Sequence, residues 1–161
     1  MRTEFGLERT ICDCKVCRTN CLYMPGFLIP TDLDYMLPAG VDPLVWAETN
    51  LLASPGALVM KGHTQFRIPT LVPAIRTDGS CINLTPEGLC SIHDISPFGC
   101  AMFDCGPERN QLSHSGLNAV YHAIFVNPVS LYRRIWTHLA ERGLVQQAAE
   151  VLRAKMRKEL E

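Results

Sequence analysis

The sequence has no run of about 18 apolar residues, so none of its helices is expected to cross a membrane. Its opening stretch, MRTEFGLERTIC, lacks the apolar core of a secretory signal, and a cytoplasmic location is expected. Net charge is almost absent: 15 Lys and Arg stand against 16 Asp and Glu, −1 overall. That balance leaves no electrostatic footprint for nucleic acid or for an anionic membrane surface. A modest excess of Arg and Lys over Glu at 129–161 reads as a solvated helix face. There is no glycine-rich nucleotide loop, no serine-triad motif and no paired-carboxylate motif. Repeats and low-complexity stretches are also missing. With 47% apolar and 19% charged residues over 161 positions, the chain can bury a core and is expected to form one domain.

What the chain has in quantity is cysteine. The eight thiols fall into two groups of four. Cys12, Cys14, Cys17 and Cys21 are spaced C-x-C-x2-C-x3-C. Cys81, Cys90, Cys100 and Cys105 are spaced C-x8-C-x9-C-x4-C. A tetrahedral metal site and a cubane cluster each take four thiolates, so this sorting points to metal. In a reducing compartment clustered cysteines bind metal or do chemistry more often than they form disulfides. All eight are therefore candidate ligands, either as two sites or as one site built from both groups with spare thiols at a second.

The choice of metal stays open at this level. Zinc ribbons usually pair two C-x2-C knuckles, and only Cys14-x2-Cys17 is present. Cys14-x2-Cys17-x3-Cys21 matches part of a ferredoxin run, which favours iron–sulfur, and a 4Fe-4S cluster in particular, over zinc. Among the histidines, Cys90-Ser-Ile-His93 makes His93 the best candidate ligand. A nucleophilic thiol activated by His63 or His93 is a further reading. Arg9, Lys15 and Arg18 flank the first group, as solvated charges or as positive neighbours of thiolate.

Local signals outline the elements. Thr31 is a candidate cap for a short helix over DLDYML. Asp42-Pro43 opens PLVWAETNLLA, which Ser54-Pro55-Gly56 should stop. Residues 57–107 are β-like and rich in turns, with strand character in ALVM, TQFRI and TLVPAI and a turn at Asp78-Gly79. If Thr85–Gly88 forms the next turn, Asn83 faces Cys90, and Cys81, Asn83 and Cys90 share one face, with His93 on the other. Ser115 is a candidate cap for GLNAVYHAIFV. Asn127-Pro128 opens VSLYRRIWTHLAER, which Gly143 ends. Val145, Ala149, Leu152, Met156 and Leu160 recur at helical spacing. The expected fold is α+β: a small irregular β-hairpin core with cysteine-rich loops, flanked by short N-terminal helices and C-terminal helices. The cysteine core spans 10–105 and the helical part 115–161.

The stretches CDCKVCRTNC, MPGFLIPTDL and CINLTPEGLCSIHDISPFGC resemble the YkgJ-type cysteine-cluster family, zinc- or iron-chelating domain proteins. The likeness covers about residues 10–105. It departs in the first cluster, where Cys17 and Cys21 are separated instead of adjacent. The resemblance implies a cysteine-ligated centre of zinc or iron and supplies no reaction. A related cluster in flagellin lysine methylases implies iron–sulfur. The function expected is therefore a cysteine-ligated metalloprotein with one or two iron–sulfur centres, serving electron transfer or redox support of a protein partner. A zinc-stapled structural or interaction module is the alternative, and a metal- or thiol-dependent enzyme the third.

Overall fold

The computed structural model describes residues 14–102 and 110–161. Cys12, Cys105 and Arg9 lie outside the described residues. Three helices come first: α1 (Lys15–Tyr23), α2 (Asp32–Met36) and α3 (Pro43–Asn50). A hairpin of two antiparallel strands follows, β1 (Leu51–Lys61) and β2 (Thr64–Pro73). After an irregular stretch come the short α4 (Phe98–Met102), then α5 (Asn110–Tyr121), α6 (Leu131–Glu141) and α7 (Ala149–Leu160). The α+β expectation holds. No helix among the described residues is long and apolar enough to cross a membrane.

The hairpin turns at Gly62-His63, where Lys61 pairs with Thr64 across a two-residue loop. The ladder breaks once, between Ser54 and Ala57. Pro69 stands opposite this break and has no N–H to give a ladder, as Pro55 has none on the other strand. Gly56 carries the bulge at φ 74°, where a Cβ would strike the Ile68 carbonyl. Leu28 adds one more bridge beside β2, to Leu71.

Strand β1 begins earlier than expected. The pattern PLVWAETNLLA reads as one helix to Ala53, but α3 stops at Asn50. Leu51 and Ala53 are fully buried, and Ala53 exchanges backbone bonds with Leu144 and Gln146. Those tertiary bonds outweigh a local helical preference. Asp42 caps α3 as expected, accepting from the Leu44 and Val45 amides. Ser130, not Asn127, caps α6 through the Arg133 amide, while Asn127 accepts from Val129 one turn earlier. Helix α5 spans Asn110–Tyr121, so Ser115 lies inside it. Val145 lies ahead of α7, bridged to Ala53, and among the described side chains of that stripe Leu152 is the buried one.

One apolar core joins the layers. Leu28, Leu33, Ala47, Leu51 and Leu71 meet Phe98, Val120, Ile135 and Leu139 there. Tyr132 of α6 is buried in the same core, and its hydroxyl is fully used. It donates to the Leu28 carbonyl at 2.6 Å and accepts from the Leu71 amide at 2.8 Å. Burial first, then the nearby Asp32, hold this phenol protonated well above the usual tyrosine range. Helix α7 lies against α1 and β1, and the Arg67–Glu150 ion pair joins it to β2.

Replacing Tyr132 by Phe strands a buried carbonyl and a buried amide together. We expect a loss of about 2–4 kcal/mol, read as a lower midpoint in thermal or denaturant unfolding. An unchanged midpoint would show that the hydroxyl bridge carries no net stability.

Candidate metal centre

The thiols are brought together by four separate pieces of backbone. Cys17 and Cys21 are four residues apart on α1 and therefore share one of its faces. Cys81 hangs from the end of β2 through a tight turn. There the Arg76 amide donates to the Ser80 carbonyl, and the Gly79 amide donates to the Arg76 carbonyl. The expected turn at Asp78-Gly79 is present. Cys81 is then hooked to α1, its amide donating to the Cys21 carbonyl at 2.7 Å.

The Arg76 guanidinium steadies this loop. It donates to the carbonyls of Cys81, Ile82 and Leu84 and to the Ser80 hydroxyl. One cation thus ties the Cys81 carbonyl to two of the carbonyls that follow it.

Cys90 arrives after the Thr85–Gly88 turn, which forms as expected with a Gly88 amide to Thr85 carbonyl bond of 2.9 Å. The register is one residue away from expectation. Leu84, not Asn83, bridges to Cys90, and the Ser91 amide donates to the Asn83 carbonyl. The segment is a chain of turns and single bridges with no flat ladder, so strict two-sided alternation does not apply to it. This places His93, at the start of a short 3₁₀ turn, on the same wall as Cys90.

Cys100 is delivered by a crossing of two backbones. A Cβ on Gly26 would collide with the backbone of Gly99 and Cys100, and a Cβ on Gly99 with that of Gly26 and Phe27. The Gly99 amide donates to the Phe27 carbonyl at 2.8 Å. Beside the crossing lies Asp32, a fully buried carboxylate. Its Oδ2 accepts from the Ile29 amide at 2.7 Å and from the Phe98 amide at 2.9 Å. The Cys100 thiol lies 3.9 Å from the Gly26 carbonyl.

Together these pieces wall a cavity of about 50 Å³. Five thiols line it: Cys17, Cys21, Cys81, Cys90 and Cys100. Asn20, Asn83 and His93 also reach the wall, and Pro25, Pro73, Pro97, Leu84 and Ile92 make most of the rest apolar. Both cysteine groups thus contribute to one place. Cys14 does not line the cavity; its Sγ lies 3.3 Å from that of Cys17. No three His, Cys, Asp or Glu side chains among the described residues are arranged to hold a single metal ion.

Burial raises the Cys81 pKa to about 11, with Cys90 adding to the rise. Hydrogen bonds from the Asn83 backbone and side-chain amides, and the nearby Arg76 charge, pull it partly back. Burial also pushes Cys100 well up, reinforced by Cys81, Cys21 and Cys90 facing it. Of the remaining expected candidates, His63 occupies the exposed β1–β2 turn and is not on the cavity wall. His138 is bound to Glu48 at 2.7 Å. Lys15 and Arg18 are exposed, with Arg18 packed over Gly88.

Sequence reading missed Asp32, Arg76 and the Gly26–Gly99 crossing. The paired signals were present as Pro-Gly-Phe and Pro-Phe-Gly-Cys, each a glycine beside an aromatic residue. Comparison of the chain with family models, with curated proteins and with solved structures finds no match.

Two outcomes are expected. Gly99→Ala should cost about 3 kcal/mol or more, because the added methyl meets backbone that has no room to give. The control Gly40→Ala, with nothing within 4 Å, should cost only the strain of its φ of 77°; equal melting losses for the two would refute the crossing. In metal-free protein, an unfolded thiol loses its proton near 9 and Cys81 near 11. The neutral thiol's contribution is fully present below about 9 and is lost as pH rises toward 11. Cys81 is expected to contribute about 2 kcal/mol of the fall in unfolding free energy across that window, to which the raised Cys100 and Tyr132 add. Cys81→Ala should make the fall shallower by the Cys81 share.

Proposed function

We propose that the chain is a cysteine-ligated metalloprotein whose cavity thiols hold an iron–sulfur centre, and that it serves electron transfer or redox support of a partner protein. The observation that carries this reading is the void walled by five thiols. Protein interiors are close-packed, with few voids larger than a water molecule. A void among apolar walls and thiols offers water few partners, whereas thiolate is the preferred donor for soft metal centres.

The donor set fits such a group. Cys21, Cys81, Cys90 and Cys100 are the four whose charges act on one another, and they are the proposed ligands. His93 is the nearest nitrogen donor on the wall. A single tetrahedral zinc requires thiolates converging at about 2.3 Å from one point. The described side chains form no such convergence, and thiols spread around a cavity suit a polynuclear group better. A bound cluster would supply one-electron transfer at a potential set by its charge, its hydrogen bonds and its access to solvent.

The chain's own residues prepare for that charge. Asn83 donates to the Cys81 sulfur, and Arg76 brings a positive charge beside it. Pro25, Pro73, Pro97, Leu84 and Ile92 exclude water from the sulfurs. Cys81 and Cys100 are held protonated at neutral pH without a metal, the reverse of an activated nucleophile. This weighs against a thiol-dependent enzyme at these positions.

The test is elemental analysis with an absorption spectrum, on protein purified without oxygen. Iron and acid-labile sulfide with a broad visible band are expected. Cys81→Ser and Cys100→Ser should each lose most of the metal and melt lower. Colourless protein with stoichiometric zinc would replace the redox reading with a zinc-stapled module. No metal, with free thiols titrating throughout, would overturn both.

A further inference from the structure

We propose that Cys14 and Cys17 form a dithiol that exchanges with small anionic disulfides of the oxidised-glutathione type, as a site distinct from the cavity centre. The pair is the one C-x2-C in the chain. Cys14 is the N-cap of α1, and its sulfur accepts from the Cys17 amide at 3.4 Å. That cap folds the first turn so that the two sulfurs lie 3.3 Å apart. A disulfide bond is about 2.05 Å long, so closure needs a movement of only about 1.3 Å. Cys14 is half-exposed and off the cavity wall, whereas Cys17 is buried on it.

This arrangement orders the chemistry. The half-exposed Cys14 thiolate attacks one sulfur of the external disulfide, forming a mixed disulfide and releasing one thiolate. The Cys17 thiolate then attacks the Cys14 sulfur and releases the second. Two protein thiols and one disulfide become one protein disulfide and two external thiols. The protein pair is oxidised by two electrons and the external disulfide is reduced by two. Lys15 and Arg18 are exposed beside the pair and give the approach a positive charge, which favours an anionic partner.

Exchange reaches Cys17 on the cavity wall but leaves Cys21, Cys81, Cys90 and Cys100 untouched. The thiol pair therefore does not depend on the centre proposed above.

The purified protein, with whatever metal it carries, is incubated with excess oxidised glutathione. Free thiols are then alkylated and the chain is cut with trypsin. Cleavage after Lys15 and Arg18 separates residues 10–15 from 16–18, so a disulfide between Cys14 and Cys17 joins two peptides. The expected result is this joined pair, lighter by two hydrogens, in the native chain and in Cys12→Ser. It should be lost in Cys14→Ser and reversed by reduced glutathione. Absence of the joined pair, its survival in Cys14→Ser, or a glutathione adduct that stays on Cys14 would each overturn the proposal. Melting of each variant establishes that it is folded. Iron, sulfide and zinc measured on the same samples report on the cavity centre separately.

Discussion

The buried carboxylate of Asp32 is the interaction on which the rest of the structure turns. A polar group removed from water is costly unless it is hydrogen-bonded, and Asp32 meets that demand with the amides of Ile29 and Phe98. Those two amides belong to segments far apart in sequence, so one side chain holds them against each other. The glycines at 26 and 99 then allow the backbones to touch. Cys100 is the next residue, and its position follows from that contact.

From there the restraint passes into the helices and the sheet. Leu28, just ahead of Ile29, gives its carbonyl to Tyr132 of α6 and pairs its backbone with Leu71 of β2. The Tyr132 hydroxyl also holds Leu71, so sheet, helix and loop share one polar link inside an apolar core. On the other side of the cavity, Arg76 and the Cys81–Cys21 backbone bond do comparable work with exposed and half-buried groups. The cavity walls are thus anchored at both ends by hydrogen bonds, with the thiols between them.

How much of this was legible in the sequence depended on the range of the forces involved. Local signals were read well: Asp42-Pro43 opens α3, Asp78-Gly79 and Thr85–Gly88 turn the chain, and Gly143 follows α6. Signals that tertiary contacts override were read less well. Leu51–Ala53 fits a helix in isolation and becomes a strand because Leu144 and Gln146 supply backbone partners. The Cys81–Cys90 register slipped by one because the segment is held by Arg76 and single bridges instead of a regular ladder. The cysteine content flagged the candidate site, but the partition of thiols did not follow sequence grouping. Cys17 and Cys21 join Cys81, Cys90 and Cys100, while Cys14 stands apart. No spacing rule could show that, since it depends on where α1 packs.

The distribution of the cavity along the chain also fixes when it can exist. Its first wall is α1 and its last is α4, with the hairpin between them. A growing chain that has not yet released Gly99 has no crossing, no second amide for Asp32 and no Cys100. Until then Cys17 and Cys21 have no opposing wall. The site closes only when its last segment returns to its first.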